Sequence, residues 1–511
     1  MKIMKLTQWM ILIAASALLM PLNAAPDKKD APKTTEKPKP GAKDKKSTSK
    51  DGKDAKMVEK QSTVTIDGKK IDYTVRTSRL VIKKDDGKAR ASVFHVAYTR
   101  NGVKDVSKRP VLFAFNGGPG SSAVWLHLGA LGPRIVPTSP DGTKALRPPL
   151  RVIDNPFSIL DVADLVFIDP VSTGYSRSED SKEKFHGVDE DISSVGDFIR
   201  RWVTDNKRWG SPKYLLGESY GAVRAAGLAG HLQSRYGMNL NGVVLLSGLM
   251  DFRTLRPGEG NDLAYIAYLP AYTAIAHHHG KLKGDRAALV KRSREFTNGV
   301  YATALLKGFT LDDATRNKVA EELSQLTSLS KDLIIRHNLR IDPSNFRKEL
   351  LRNKNLVLGR FDARTAWPAQ QKAGVYPNYD PSMSVAKGAF STAMLDYLAN
   401  GLGWMEERPY EIIAHVGGWN WGQKNGYVNV GSRLAGAMRD NPHLRVLVQC
   451  GHADLATPAG GILHTVAHMK VPAPQRKNIS VAWYDAGHMF YLNQPDLEKM
   501  RKDLVKFIEA K

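Results

Sequence analysis

Cysteine is all but missing from this chain. Cys450 is the single one in 511 residues, so no internal disulfide can form. A domain of this size must then be held by its core alone, and hydrophobic residues at 42% are enough to build one. Cys450 itself follows the apolar run Leu444 to Gln449 and reads as buried packing. Long apolar runs are equally scarce. Met10 to Met20 is short for a bilayer span, and no second stretch is long and apolar enough to make one. Acidic residues are in deficit, 51 Asp and Glu against 75 Lys and Arg, for a net charge of +24. Such a balance invites a nucleic-acid or membrane-surface reading. Much of the lysine, however, sits in one low-complexity stretch near the N-terminus and says little about a folded surface. No nucleic-acid partner is expected.

Lys2 and Lys5 precede the apolar run, and Pro21 and Leu22-Asn23-Ala24-Ala25 follow it. A basic start, a short apolar run and small residues at the cut describe a secretory signal peptide over residues 1–24, of bacterial style. The expected destination is the periplasm or the exterior, with no stable membrane insertion once the signal is removed. Residues 25–60 mix Lys, Asp, Pro, Ser and Gly with almost no large apolar side chain. Such a stretch cannot offset its ordering entropy and reads as a disordered linker. A solvated linker is the first reading, and weak contact of its lysines with an anionic envelope surface the second.

Folded structure is expected from about Ser62. Thr63 to Ile66 and Ile71 to Val75 flank Asp67-Gly68, a hairpin signal, and a further strand runs from Ala91 to Thr99. From Pro110 onward the rhythm changes. Val111 to Phe115, Leu165 to Ile168, Tyr214 to Leu216, Val243 to Leu246, Leu444 to Val448 and Ile479 to Trp483 are short apolar runs. Helical patterns lie between several of them, at Val188 to Trp202, Ala222 to Tyr236 and Pro495 to Ala510. Short apolar strands alternating with helices predict a mostly parallel sheet covered on both faces, an α/β fold. The rhythm breaks over residues 256–429, where Ala287 to Leu306 and Leu311 to Leu329 read as helices. This stretch is expected to form a largely helical cap inserted between two core segments, 61–255 and 430–511.

The chemistry concentrates at Gly217-Glu218-Ser219-Tyr220-Gly221, a G-x-S-x-G sequence placed after an apolar strand and opening a helix. That context predicts the nucleophile elbow of an α/β-hydrolase, with Ser219 lifted above the sheet. A serine at its ordinary pKa needs a base oriented by a carboxylate, and the chain order in this fold is Ser, acid, His. Gly451-His452-Ala453-Asp454 follows the fifth apolar run and Asp485-Ala486-Gly487-His488 the sixth. Asp454 and His488 are therefore the expected acid and base, with Asp485 and His452 as their competitors. An oxyanion hole needs two backbone N–H groups. Tyr220, after the nucleophile, is expected to supply one, and the Gly117-Gly118 turn after Phe115 the other. His464 and His468 stand at helical i, i+4 spacing and His277-His278-His279 form a run, but no third partner completes a metal set. Trp419 and Trp421 read equally as pocket lining or as packing.

Taken together, these blocks resemble the serine carboxypeptidases of the S10 type. The resemblance rests on Asn116-Gly117-Gly118-Pro119-Gly120-Ser121-Ser122 with Leu131-Gly132-Pro133, on Asn155 to Ser158 with Phe167 to Ser176, on Gly217 to Gly221, and on Gly487-His488-Met489 with Asn493-Gln494-Pro495. It implies release of the C-terminal residue of a peptide through an acyl-enzyme, without cofactor or metal. It also implies that Asn116, the Gly117 N–H and Glu218 hold the substrate's terminal carboxylate, with Gly118 and Tyr220 forming the oxyanion hole. Two carboxylates side by side need a proton between them, which favours acidic pH.

Some positions depart from the family pattern. Ala114 stands where the family usually has Trp, no Glu is found near Ala130, and the family's Asp-Gln-Pro-Val is shortened to Asp169-Pro170-Val171. Ser121 replaces a cysteine. The carboxylate-holding network is thus only partly present, which leaves an aminopeptidase, an esterase or an acyltransferase as alternatives. Asp454-Leu455-Ala456-Thr457-Pro458 also resembles proline-releasing aminopeptidases. From another class, a non-catalytic envelope-binding protein using the lysine-rich segment is the remaining alternative.

Overall fold

The computed structural model describes residues 56–371, 373, 374 and 376–510. The signal-peptide assignment, and the linker assignment up to residue 55, lie outside them. The chain opens on strands β1 (Met57–Ile66) and β2 (Lys69–Lys83), paired antiparallel, followed by β3 (Ala89–Arg100). Asp67 and Gly68, both at positive φ, make the tight turn that matches the strands' twist. Strand β1 starts before the expected Ser62, because Met57 to Gln61 pair with Thr74 to Ser78. Most of their side chains are exposed, so no apolar alternation marks them in the sequence.

Six parallel strands follow: β4 (Val111–Phe115), β5 (Asp164–Ile168), β6 (Lys213–Glu218), β7 (Gly242–Leu246), β8 (Arg445–Gly451) and β9 (Ile479–Tyr484). The spatial order is β1-β2-β3-β5-β4-β6-β7-β8-β9, with all neighbours from β5 to β9 parallel. Strands β4 to β7 are buried throughout, which is why they read as unbroken apolar runs. Alternate residues go to opposite sides. Leu112, Ala114, Leu216 and Val244 join one core with helix α9 (Gln494–Glu509). Val111, Phe113, Leu215 and Val243 join the other with helices α1 (Val188–Asp205), α2 (Tyr220–Tyr236) and α7 (Gly431–Asp440).

Residues 256–429 divide into two parts. Helices α3 (Leu263–His278), α4 (Arg286–Phe296) and α5 (Asp313–Thr327) bury Tyr272, Ile275 and Leu323 in a third cluster of their own. The helix expected from Ala287 to Leu306 is continuous from Arg286 to Lys307, with one widened turn at Thr297–Tyr301 between α4 and Ala302–Lys307. The later helix α6 (Pro381–Asp396) returns to the sheet, and Phe390, Met394, Tyr397 and Trp404 pack into the core beside β3 and β5.

Candidate active site

Ser219 lies between the end of β6 and the start of α2, at φ 62° and ψ −126°. A non-glycine residue there is strained by on the order of 1–3 kcal/mol, a cost borne where the surroundings over-determine the turn. The surroundings are tight: a Cβ on Gly217 would strike the Gly221 carbonyl, and one on Gly221 would sit 2.8 Å from Phe115 O. Ser219 is also the only residue from Lys213 to Ala229 that is not buried. Its hydroxyl makes no hydrogen bond among the described residues and is half-buried and unengaged at the C-terminal end of the parallel strands.

His488 and Asp454 meet below that edge. His488 Nδ1 is 2.9 Å from Asp454 Oδ2 and 2.9 Å from Thr457 Oγ1. The Thr457 hydroxyl spends its one proton on Ser247 O at 2.6 Å or Asp454 Oδ2 at 2.9 Å, so towards the ring it can only accept. Nδ1 then carries the proton and Nε2 is left as the basic nitrogen. Asp454 is fixed by N–H groups of Ala456 and Thr457, 2.7 and 2.9 Å from Oδ1. Burial works to lower the pKa of His488, but the charge and hydrogen bond of Asp454 outweigh it, and the net shift is upward from 6.5.

Glu218, beside the serine, is fully enclosed. Asn116 Nδ2 and the Tyr491 hydroxyl both donate to its Oε2, at 2.9 and 2.8 Å. Oε1 has neither donor and faces His488 Nε2 at 4.0 Å. Burial pushes the Glu218 carboxyl up from 4.5 to about 7, against the pull of His488 and the two donors. With both donors on Oε2, the proton of the neutral acid belongs on Oε1, the oxygen turned towards His488.

The glycine turn abuts the elbow, since a Cβ on Gly117 would collide with the Tyr220 nitrogen. Gly118 can hold φ 102° because it has no side chain. Its N–H has no acceptor among the described residues, and the Tyr220 N–H, first in α2, has none within its helix. Arg224 ties the turn down. It donates to Asn116 O at 2.7 Å and pairs with buried Asp191 at 2.8 Å.

The competing residues lie elsewhere. Asp485 is exposed and pairs with Arg286 at 2.6 Å, while His452 stacks on Trp483, ring centroids 4.7 Å apart. His464 and His468 stack on each other at 4.0 Å, and no group of three or more metal-ligating side chains exists among the described residues. Trp419 packs edge-on against Tyr220, and Trp421 against both Tyr220 and Phe252. Three residues of the cluster were not singled out from the sequence: Thr457, Arg224 and Tyr491. Thr457 lies within a stretch noted for another reason, and Tyr491 carries no local signal.

A mostly parallel sheet with a serine on a strand–helix elbow, and a paired aspartate and histidine on the loops after two later strands, defines an α/β-hydrolase. The sequence from 83 to 485 matches the Peptidase S10 serine carboxypeptidase family, and the chain belongs to that family. Ser219 and Asp454 fall inside the match and His488 just beyond it. Among curated relatives, the mouse lysosomal protective protein is 28% identical over 181 residues, 34% of each chain. Carboxypeptidase Y of Saccharomyces cerevisiae is 27% identical over 183 residues, 32% of this chain and 31% of its own. The chain thus spans about a third of the length of these relatives. Among solved structures, the prohormone-processing carboxypeptidase KEX1(DELTA)P of Saccharomyces cerevisiae superposes with a TM-score of 0.50 at 16% identity, covering 85% of this chain and 91% of that one. At that identity the likeness bears on the fold alone.

Proposed function

We propose that this chain is an exported bacterial serine carboxypeptidase, periplasmic or secreted, releasing C-terminal residues from peptides through an acyl-enzyme. Ser219 Oγ attacks the last peptide carbonyl while His488 Nε2 takes its proton, and Asp454 and Thr457 hold the ring with Nδ1 protonated. The Gly118 and Tyr220 N–H groups receive the developing oxyanion. His488 returns the proton to the departing amine, and a water, activated by the same nitrogen, then releases the acyl group. Asn116, the Gly117 N–H and the acid proton of Glu218 hold the substrate's terminal carboxylate. Export rests on the N-terminal pattern of Lys2, Lys5 and the apolar run.

The observation that carries this reading is Glu218: a buried carboxyl beside the nucleophile, protonated to about pH 7, with its free oxygen turned towards His488. A neutral acid there donates to a carboxylate, whereas an ionised one repels it. The expected result is that kcat/KM on an N-blocked peptide with a free C-terminus falls as pH rises through about 7. Glu218→Gln, which cannot ionise, loses this alkaline limb and keeps appreciable activity above neutral pH. A C-terminally amidated peptide is a poor substrate, and any hydrolysis of it lacks the limb in both proteins. Equal cleavage of free and blocked peptides, with both profiles unchanged by Glu218→Gln, overturns the carboxypeptidase reading in favour of an esterase or aminopeptidase.

Tyr491 supplies a second test. Its hydroxyl stabilises the Glu218 anion and keeps the acid proton on the opposite oxygen. Tyr491→Phe should move the alkaline limb upward by about one pH unit, the size of one hydrogen bond to a charged group, and raise KM more than it lowers kcat. A merely structural tyrosine would lower stability without moving the limb.

A further inference from the structure

Away from Ser219, a cavity of about 410 Å³ opens between helices α3 and α4, the ends of β8 and β9, and helix α8 (Ala459–His468). Its volume suits a small ligand. Leu263, Ile266, Pro270, Val290 and Leu463 make its walls apolar, and no Asp or Glu lines it. Into this surface comes Arg294, half-buried, with its guanidinium 4.5 Å from the centroid of the Trp483 ring. It makes no ion pair and donates no hydrogen bond among the described residues, whereas its neighbour Arg292 pairs with Glu322 at 2.7 Å.

Nothing nearby balances that charge. The Cys450 thiol acts on Arg294, but burial pushes its pKa up to about 12 and keeps it neutral. His452, beneath the same Trp483 ring, is lowered to about 4 by burial, and His464 is also lowered by burial. Asp251 and Arg253, which act on His464, are paired with each other. Asp485, which acts on His452, is taken up by Arg286. The Arg294 guanidinium therefore stands in the cavity without a carboxylate partner, among apolar walls, with Thr297 and Asn298 at its lining.

We propose that this cavity binds a small amphipathic monoanion, a carboxylate on a hydrocarbon or aryl body, whose head group pairs with Arg294. The Trp483 face offsets part of the guanidinium's desolvation and an arriving anion the rest, and Arg suits a carboxylate through its paired N–H donors. The same chemistry could reach the site as a free acid or as a released amino acid. The amino acid brings an ammonium group that finds no acidic side chain in the lining, so the free acid is the better fit.

The test is calorimetric titration of the full chain with octanoate, octanol and leucine. Octanoate should bind saturably at one site, and Arg294→Met should weaken it by about tenfold or more through loss of the charge-assisted hydrogen bonds. Octanol should bind both proteins alike, because the apolar walls are unchanged. Leucine should not compete. Leu463→Trp, which fills the cavity and keeps Arg294, should abolish binding of octanoate and octanol together. Absence of saturable octanoate binding, equal octanoate affinity in Arg294→Met, or undiminished octanoate affinity in Leu463→Trp overturns the proposal. Competition by leucine as strong as by octanoate overturns the choice of a free acid.

Discussion

Ser219→Ala should lower peptide turnover by about 10⁴- to 10⁶-fold and leave the fold intact, because a nucleophile and its base act as a unit. The structural half of this expectation follows from the elbow. Alanine carries the same Cβ as serine, so the strain of a positive φ is neither relieved nor increased. The Ser219 N–H still donates to Leu246 O at 3.0 Å. Its hydroxyl is bonded to nothing among the described residues, so its removal leaves no partner unsatisfied. Thermal unfolding should therefore shift by no more than about 2 °C, consistent with a ΔΔG of a few tenths of a kcal/mol. A fluorophosphonate should label wild type at one equivalent and the variant not at all. Activity within about tenfold of wild type, in a folded variant, removes Ser219 from the role of nucleophile.

The parallel strands were the most legible part of the chain, and for one reason. Strands β4 to β7 are buried on both faces, so neither solvent nor turn chemistry interrupts their apolar runs. The first half of β1 is the reverse case, an outer strand whose polar side chains leave nothing to read. Helix α6 shows a different limit. The sequence does not announce it, since the stretch after Leu329 passes for an irregular Gly/Trp/Pro-rich section, and its burial of Phe390 and Met394 against the main core, rather than among the cap helices, is decided by tertiary packing.

The site divides along the same line. Ser219, Asp454 and His488 can be named from the sequence because each sits in a short block with its own turn residues, in an order that this fold uses. Tyr491 cannot. It reaches Glu218 across 273 positions of sequence, and only the folded chain brings them together. The family's missing Trp at Ala114 and missing Glu near Ala130 suggest a weakened carboxylate site when read from sequence alone. In the folded chain the Tyr491 hydroxyl, 273 positions further along the sequence, supplies a donor to Glu218.

The acid offers the sharpest contrast between two residues of the same type. Asp454→Asn should lower kcat by about 10⁴-fold, while Asp485→Asn should change it less than about threefold. Asp454 Oδ2 accepts from His488 Nδ1 at 2.9 Å and so fixes the tautomer with a free Nε2. An asparagine there can turn its NH₂ group to Nδ1, which places the proton on Nε2 and removes the base. The Thr457 hydroxyl does not rescue it. Its one proton serves Ser247 O at 2.6 Å or Asp454 Oδ2 at 2.9 Å, and a neutral hydroxyl accepting from Nδ1 does not replace the charge of the lost carboxylate. Asp485 has a different task. It is exposed, pairs with Arg286 at 2.6 Å, and its N–H is held by Asp496 at 3.0 Å, a contact the substitution keeps. The pH profile separates loss of the base from loss of fold. Wild type should show an acid limb where His488 gains its second proton, at a pH raised above 6.5 by Asp454. In Asp454→Asn the carboxylate that raises this pKa is gone, so the residual activity should show its limb at lower pH. If Asp485→Asn is the severe variant and Asp454→Asn the mild one, the carboxylates exchange roles and the orientation of His488 must be rebuilt around Asp485.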